Sequence, residues 1–105
     1  MNENFRAATP AVRIVGMVWY RREDYARLRK LFKDGHKLPA TFDKWLEAAQ
    51  KGKERFERDG HVVVKAYIDP DTFAGWCSTR FLNIDATARM QFANEAAFAA
   101  HGQQH

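Results

Sequence analysis

The chemistry this sequence can offer begins with its cations. Over residues 22–33, R-E-D-Y-A-R-L-R-K-L-F-K, the apolar residues Tyr25, Leu28, Leu31 and Phe32 recur at helical spacing. On a wheel of 100° per residue with Arg22 at zero, they fill an arc from about 180° to 300°. Arg22, Arg27, Arg29, Lys30 and Lys33 take the remaining arc, with Glu23 as its one acid. Guanidinium and ammonium groups gathered on one water-facing side suit the phosphates or carboxylates of a partner. These five are the predicted binding residues for an anionic partner, either nucleic acid or an acidic protein. Lys51, Lys53, Arg55 and Arg58 lie on the next element as helpers.

The distribution of charge points to the same stretch. Basic against acidic residues number 2 to 1 over residues 1–20, 12 to 8 over 21–60, and 3 to 4 over 61–105. The net charge of +4 therefore sits in the middle of the chain. A charge of this size fits polyanion binding and also serves ordinary solubility.

A rival reading gathers Trp19, Tyr20, Arg21, Asp69, Asp71 and Trp76 into a pocket for a small molecule, either bound or turned over. There an indole would stack on the ligand and an arginine would hold its anionic group. The competing expectation is that such aromatics belong to the core or a subunit interface. Glu23, Asp24, Asp69 and Asp71 would form an acidic edge if the strands that precede them are parallel, and carboxylates there can bind a metal or exchange protons. The same positions are where helix capping alone would put acids, so they are read as caps.

Other chemistry is excluded by what the residues lack. Cys77, the only cysteine, cannot form an internal disulfide, and with four scattered histidines it makes no structural zinc spacing. As a nucleophile it would need His36, His61 or His101 as its base. Its helical face, shared with Phe73 and Trp76, predicts a buried, inert thiol instead. The sequence holds no G-x-S-x-G, P-loop or dinucleotide fingerprint, because the glycines at 16, 35, 52, 60, 75 and 102 do not cluster. No cofactor or metal is expected.

These residues need elements to position them. Residues 12–20, V-R-I-V-G-M-V-W-Y, are short, β-branched and aromatic, and predict a strand with apolar groups on both faces. A helix should run from Arg22 to the Asp34-Gly35 stop, with Glu23 and Asp24 in its first turn. After a loop through Pro39, Thr41 caps a second helix with Phe42, Trp45, Leu46, Ala49 and Phe56 along its core stripe. It passes through Gly52 without a break and ends at Asp59-Gly60.

His61 to Ile68 predicts a second strand. Asp69-Pro70-Asp71 then starts a short helix with Phe73, Trp76, Cys77 and Phe81 facing inward. Leu82-Asn83-Ile84 breaks the pattern, and Asp85 caps a last helix from Ala86 to about Ala100. The last two helices have the length of a helix-turn-helix, but the second offers only Arg89, Gln91, Asn94 and Glu95 among alanines, too few phosphate contacts for DNA.

The stretch D-P-D-T-F-A-G-W-C followed by L-N-I-D-A-T-A-R-M-Q-F-A, Asp69 to Ala93, resembles a segment of short bacterial proteins that carry no assigned activity. It covers about a quarter of the chain, and the resemblance implies no catalytic or binding residue.

The 105 residues are enough for one α+β domain, residues 11–105, behind a flexible arm at 1–10. Two strands in the order β-α-α-β-α-α pack with four helices. Two strands alone make a marginal sheet, so a homodimer that extends it is expected. The longest apolar run, Ile14 to Tyr20, is far short of a membrane span, so no membrane partner is expected. Asn2, Glu3 and Asn4 stand where a secretory signal would be basic and then apolar, which predicts a cytoplasmic protein. The expected function is a non-enzymatic binding module.

Overall fold

A computed structural model describes residues 13–102, so the expected arm at residues 1–10 lies outside the described residues. The strands are β1 (Arg13–Trp19) and β2 (His61–Tyr67). The helices are α1 (Tyr25–Leu31), α2 (Phe42–Arg58), α3 (Phe73–Ser78) and α4 (Ala86–Gly102). Single turns of 3-10 helix cover Arg22–Asp24 and Gly35–Lys37. The fold is α+β, in the order that the sequence predicts.

The strand direction, which the sequence leaves open, is parallel, with Arg13 opposite His61 and Trp19 opposite Tyr67. Parallel strands need a long crossover, which α1 and α2 supply. They also need cover on both faces. On one face α2 passes over β1 with Gly52 beside Met17, where an added Cβ would lie 3.5 Å from the Met17 methyl. Trp45 of α2 meets Trp19 edge to face, with ring centroids 5.2 Å apart. On the other face α4 lies so close that a Cβ on Gly16 would collide with the backbone carbonyl of Ala93.

Local chemistry sets the helix ends. Thr41 accepts a hydrogen bond from the Lys44 amide at 3.2 Å, and Asp85 accepts one from the Ala88 amide at 3.2 Å, so both predicted caps are made. Asp69 accepts from the Asp71 amide at 2.8 Å and starts the turn into α3. Gly60, at φ 92°, takes the left-handed conformation that turns α2 into β2.

Two expectations need correction. The first predicted helix is shorter than its spacing suggests: Arg22–Asp24 form a separate 3-10 turn, and Phe32 is extended. That extension delivers the Lys33 amide to the Ile84 carbonyl at 2.8 Å, a tertiary bond that ends α1 early. Phe81 does not face inward. α3 ends at Ser78, and Phe81, at φ 58°, is thrown into solvent with 97% of its surface exposed.

The core is largely aromatic. Trp19, Tyr20, Tyr25, Phe32 and Trp45 are buried together, and Phe32 meets Phe73 edge to face at 5.9 Å. Cys77 and Leu28 are fully buried. Burial pushes the Cys77 thiol up, which keeps it protonated.

One ion pair ties the last helix to the loop after α1. Arg89 donates to both Asp34 oxygens, at 2.8 and 2.9 Å, and its guanidinium lies 4.4 Å over the Phe32 ring. Such a two-bond fork is the strong form of this contact. It holds the Asp34 carboxyl below the usual carboxylate range. No helix among the described residues is long and apolar enough to cross a membrane.

Gly16→Ala is expected to cost about 2–3 kcal/mol, because the methyl must push α4 away from β1. Gly75→Ala, within α3 with no atom inside 4 Å of its added methyl, should gain up to about 1 kcal/mol instead. Urea unfolding of the two variants reads the opposite signs, and equal effects would contradict the close approach of α4. A second expectation concerns acid. A depressed folded-state pKa gives Asp34 a stabilising role that is full above its unfolded value of about 3.9 and fades as pH falls through the folded one. Melting temperature should therefore drop as pH falls below about 4, and less steeply in Asp34→Asn. Parallel pH profiles for the two proteins would contradict that role.

Candidate functional site

The basic residues of 22–33 do not share one continuous face. With α1 confined to Tyr25–Leu31, Arg22 comes from the 3-10 turn before it and Lys33 from the extended chain after it. Lys33 reaches away to donate to the Asn83 side chain at 3.2 Å. Arg27 turns toward the start of α3 and pairs with Asp71 at 2.6 Å. Three of the five predicted cations, Arg22, Arg29 and Lys30, are brought together instead.

They line a cleft of about 430 Å³ with Tyr25, Ala26, His36, Ala40 and Phe42. Ala26, Arg29 and Lys30 stand three and four residues apart, one row along α1. His36 faces them from the second 3-10 turn, and Ala40 and Phe42 from the approach to α2. The His36 turn is jammed against α1: a Cβ on Gly35 would collide with the Arg29 carbonyl. Behind the cleft Tyr25 is buried and its hydroxyl donates to the Pro39 carbonyl at 2.6 Å, fixing the loop that carries His36. Burial pushes this phenol up, so it stays a neutral donor.

No carboxylate lines the cleft. Its cations nevertheless differ in how far they are already answered. Arg22 donates to Asp43 at 2.8 Å and stacks 4.6 Å from the Phe42 ring centre. Both partners of that ion pair are mostly exposed, so it is worth under about 1 kcal/mol and gives way easily to another anion. Arg29 and Lys30 have no ion-pair partner among the described residues. Arg29 is half-buried rather than wholly water-facing, and its Nε is buried without a hydrogen-bond partner there.

The rival pocket residues are placed otherwise. Trp19 and Tyr20 are 4% and 2% exposed, inside the core. Burial pushes the Tyr20 phenol up to about 12, although the Arg89 charge pulls it back, so it does not exchange protons near neutrality. Trp76 stacks on Phe73 at 5.6 Å, meets Phe92 edge to face at 5.1 Å and is covered by the Arg80 guanidinium. Arg21 lies over the Tyr67 ring. Asp69 caps the turn into α3 and Asp71 pairs with Arg27. None of the six lines the cationic cleft or the three other clefts beside Gly16, His61 and Pro70. No set of three His, Cys, Asp or Glu side chains among the described residues is arranged to hold a metal ion.

His36 and Phe42 are the cleft residues that sequence spacing does not reveal as binding groups. The available signal is Gly35 and Pro39 on either side of His36, which marks a tight return between two helices. No family model matches the chain, and no curated protein or solved structure is detectably similar to it.

Asp43→Ala removes the acid that answers Arg22 and should raise the affinity of the cleft for inorganic phosphate by about two- to five-fold, the scale of one exposed pair. Chemical shifts of His36 during the titration read this. An unchanged affinity would show that Arg22 does not face the bound anion.

Proposed function

We propose that this chain is a non-enzymatic binding module whose cationic cleft holds an anionic partner, with nucleic acid favoured over an acidic protein surface. The observation that carries the reading is the cleft itself, in which Arg22, Arg29, Lys30 and His36 face one space that no carboxylate lines. Phosphates are met by guanidinium forks and ammonium groups, and release of their condensed cations adds to affinity. Nucleic acid is favoured because the half-buried ring of Phe42 lies beside the cations, as in sites that combine charge with aromatic contact to bases. Arg27 lies next to Lys30 on a neighbouring surface and Lys33 lies farther along, on Asn83, and their exposed partners compete weakly with backbone phosphates. A small-molecule or enzymatic role centred on Trp19, Tyr20, Arg21, Asp69, Asp71 and Trp76 has less support, since the first two are inside the core.

Binding to a mixed pool of single-stranded oligonucleotides should weaken steeply with salt. Two to four neutralised phosphates give a slope of log K against log salt of about −1.4 to −2.8. Fluorescence anisotropy over a salt series measures it. No binding at low salt would remove the nucleic-acid partner, and tight binding to an acidic peptide alone would replace it with a protein.

A further inference from the structure

We propose that the cleft between α1 and the His36 turn recognises the terminal phosphomonoester of a nucleic-acid strand. This rests on the reading of the cleft as an anion site and adds which phosphate it takes.

Charge matching comes first. Arg22 is answered by Asp43, which leaves Arg29 and Lys30 as two permanent charges without an acidic partner among the described residues. A phosphate inside a strand is a diester with a single negative charge. A terminal phosphomonoester carries about −1.5 to −2 at neutral pH and offers three acceptor oxygens. Two unanswered cations on one cleft therefore match an end better than an internal position.

The donors are also placed for one group rather than for a row. Arg29 and Lys30 are neighbours on α1, and His36 faces them across the cleft. The His36 turn cannot drift away from or toward α1 freely, because Gly35 sits hard against the Arg29 carbonyl and Tyr25 holds the Pro39 carbonyl. Cations outside this frame, Arg27 and Lys33, each reach a separate exposed partner, the arrangement that suits phosphates spaced along a backbone.

Arg29 supplies an independent observation. Its Nε is buried with no hydrogen-bond partner among the described residues, although it belongs to a charged group. A buried donor of this kind is costly to leave unmet, so the fold holds Arg29 partly desolvated and unpaired beside the cleft that its side chain lines. Half-buried Phe42 beside the cations then offers apolar surface to the terminal nucleoside, which an acidic side chain of a protein would not use.

The test compares single-stranded oligonucleotides of one sequence with a phosphate or a hydroxyl at the 5′ end, and the same pair at the 3′ end, each labelled at the opposite terminus. At constant salt one phosphorylated end should bind about ten-fold tighter than its hydroxyl counterpart, the scale of a charge-assisted hydrogen-bond set. Arg29→Gln should bring that ratio close to one, as should Lys30→Gln, whose exposed position leaves folding intact by thermal melt. Lys33→Gln should weaken both oligonucleotides alike and leave the ratio unchanged. A phosphorylated mononucleotide should compete for the same site, more weakly than the strand end that also touches Arg27 or Lys33. Equal, salt-dependent affinities for phosphorylated and hydroxyl ends would overturn end recognition and leave anion binding standing. A mononucleotide that binds as tightly as the phosphorylated strand would overturn the strand as the source of the phosphate. Tighter binding of a phosphopeptide would overturn it in favour of a protein partner. No binding to any of them would remove both readings.

Discussion

Everything in this molecule is arranged around a two-stranded parallel sheet that cannot stand on its own. Parallel pairs survive with both faces covered, and here each face is covered by a single long helix. The two contacts differ in kind. Against α2 the sheet presents bulk, with Trp19 meeting Trp45 and Met17 meeting the gap at Gly52. Against α4 it presents absence, since Gly16 lets the Ala93 backbone approach directly. At the point of contact α4 brings the backbone of Ala93, and only a glycine beneath it allows the distance to close.

That constraint shapes the cleft. The chain must leave β1, travel back to the start of β2 and cover one sheet face on the way. The travelling is done by α2, 17 residues long, which leaves α1 only seven residues and a turn before it. A helix this short is held by what it buries, here Tyr25 and Leu28, rather than by its own propensity. The tight return from α1 to α2 places the His36 turn beside the residues on the outer side of α1. The concavity is thus a by-product of connecting two helices of unequal length over one sheet face, and its charge is a matter of which residues fill those outer positions.

Much of this was legible in the residues. The elements and their caps follow from β-branched runs and from Thr41 and Asp85, because those signals act within a few residues; Asp69-Pro70-Asp71 makes a turn instead, and α3 begins at Phe73, three residues after Pro70. What was not legible depends on contacts far along the chain. α1 stops at Leu31 because Ile84 draws the Lys33 amide, a bond across 51 positions that no local spacing shows. Phe81 continues the spacing of Phe73 and Cys77, yet the helix has ended three residues earlier. Trp19 and Tyr20 are both buried although alternation along a strand sends neighbours to opposite sides, since the chain bends into the core where β1 ends. Of the basic residues, the sequence correctly separates cations from the core stripe but treats them as one face. The early end of α1 divides them among the cleft, α3 and Asn83.

The division has an energetic meaning. Arg89 shows how this chain treats an arginine whose role is structural: it is buried, forked onto Asp34 by two hydrogen bonds and stacked on Phe32. Breaking such a pair leaves a desolvated charge, so its geometry is fully satisfied. Arg22 and Arg27 have single, exposed partners that cost little to exchange. Arg29 fits neither class, half-buried like a structural arginine but without the acceptor that every structural arginine needs. An arginine already partly desolvated in the folded protein and without an acceptor keeps a cost that pairing would remove. Burial and an unmet donor therefore coincide at Arg29 and at neither of the exposed arginines Arg22 and Arg27.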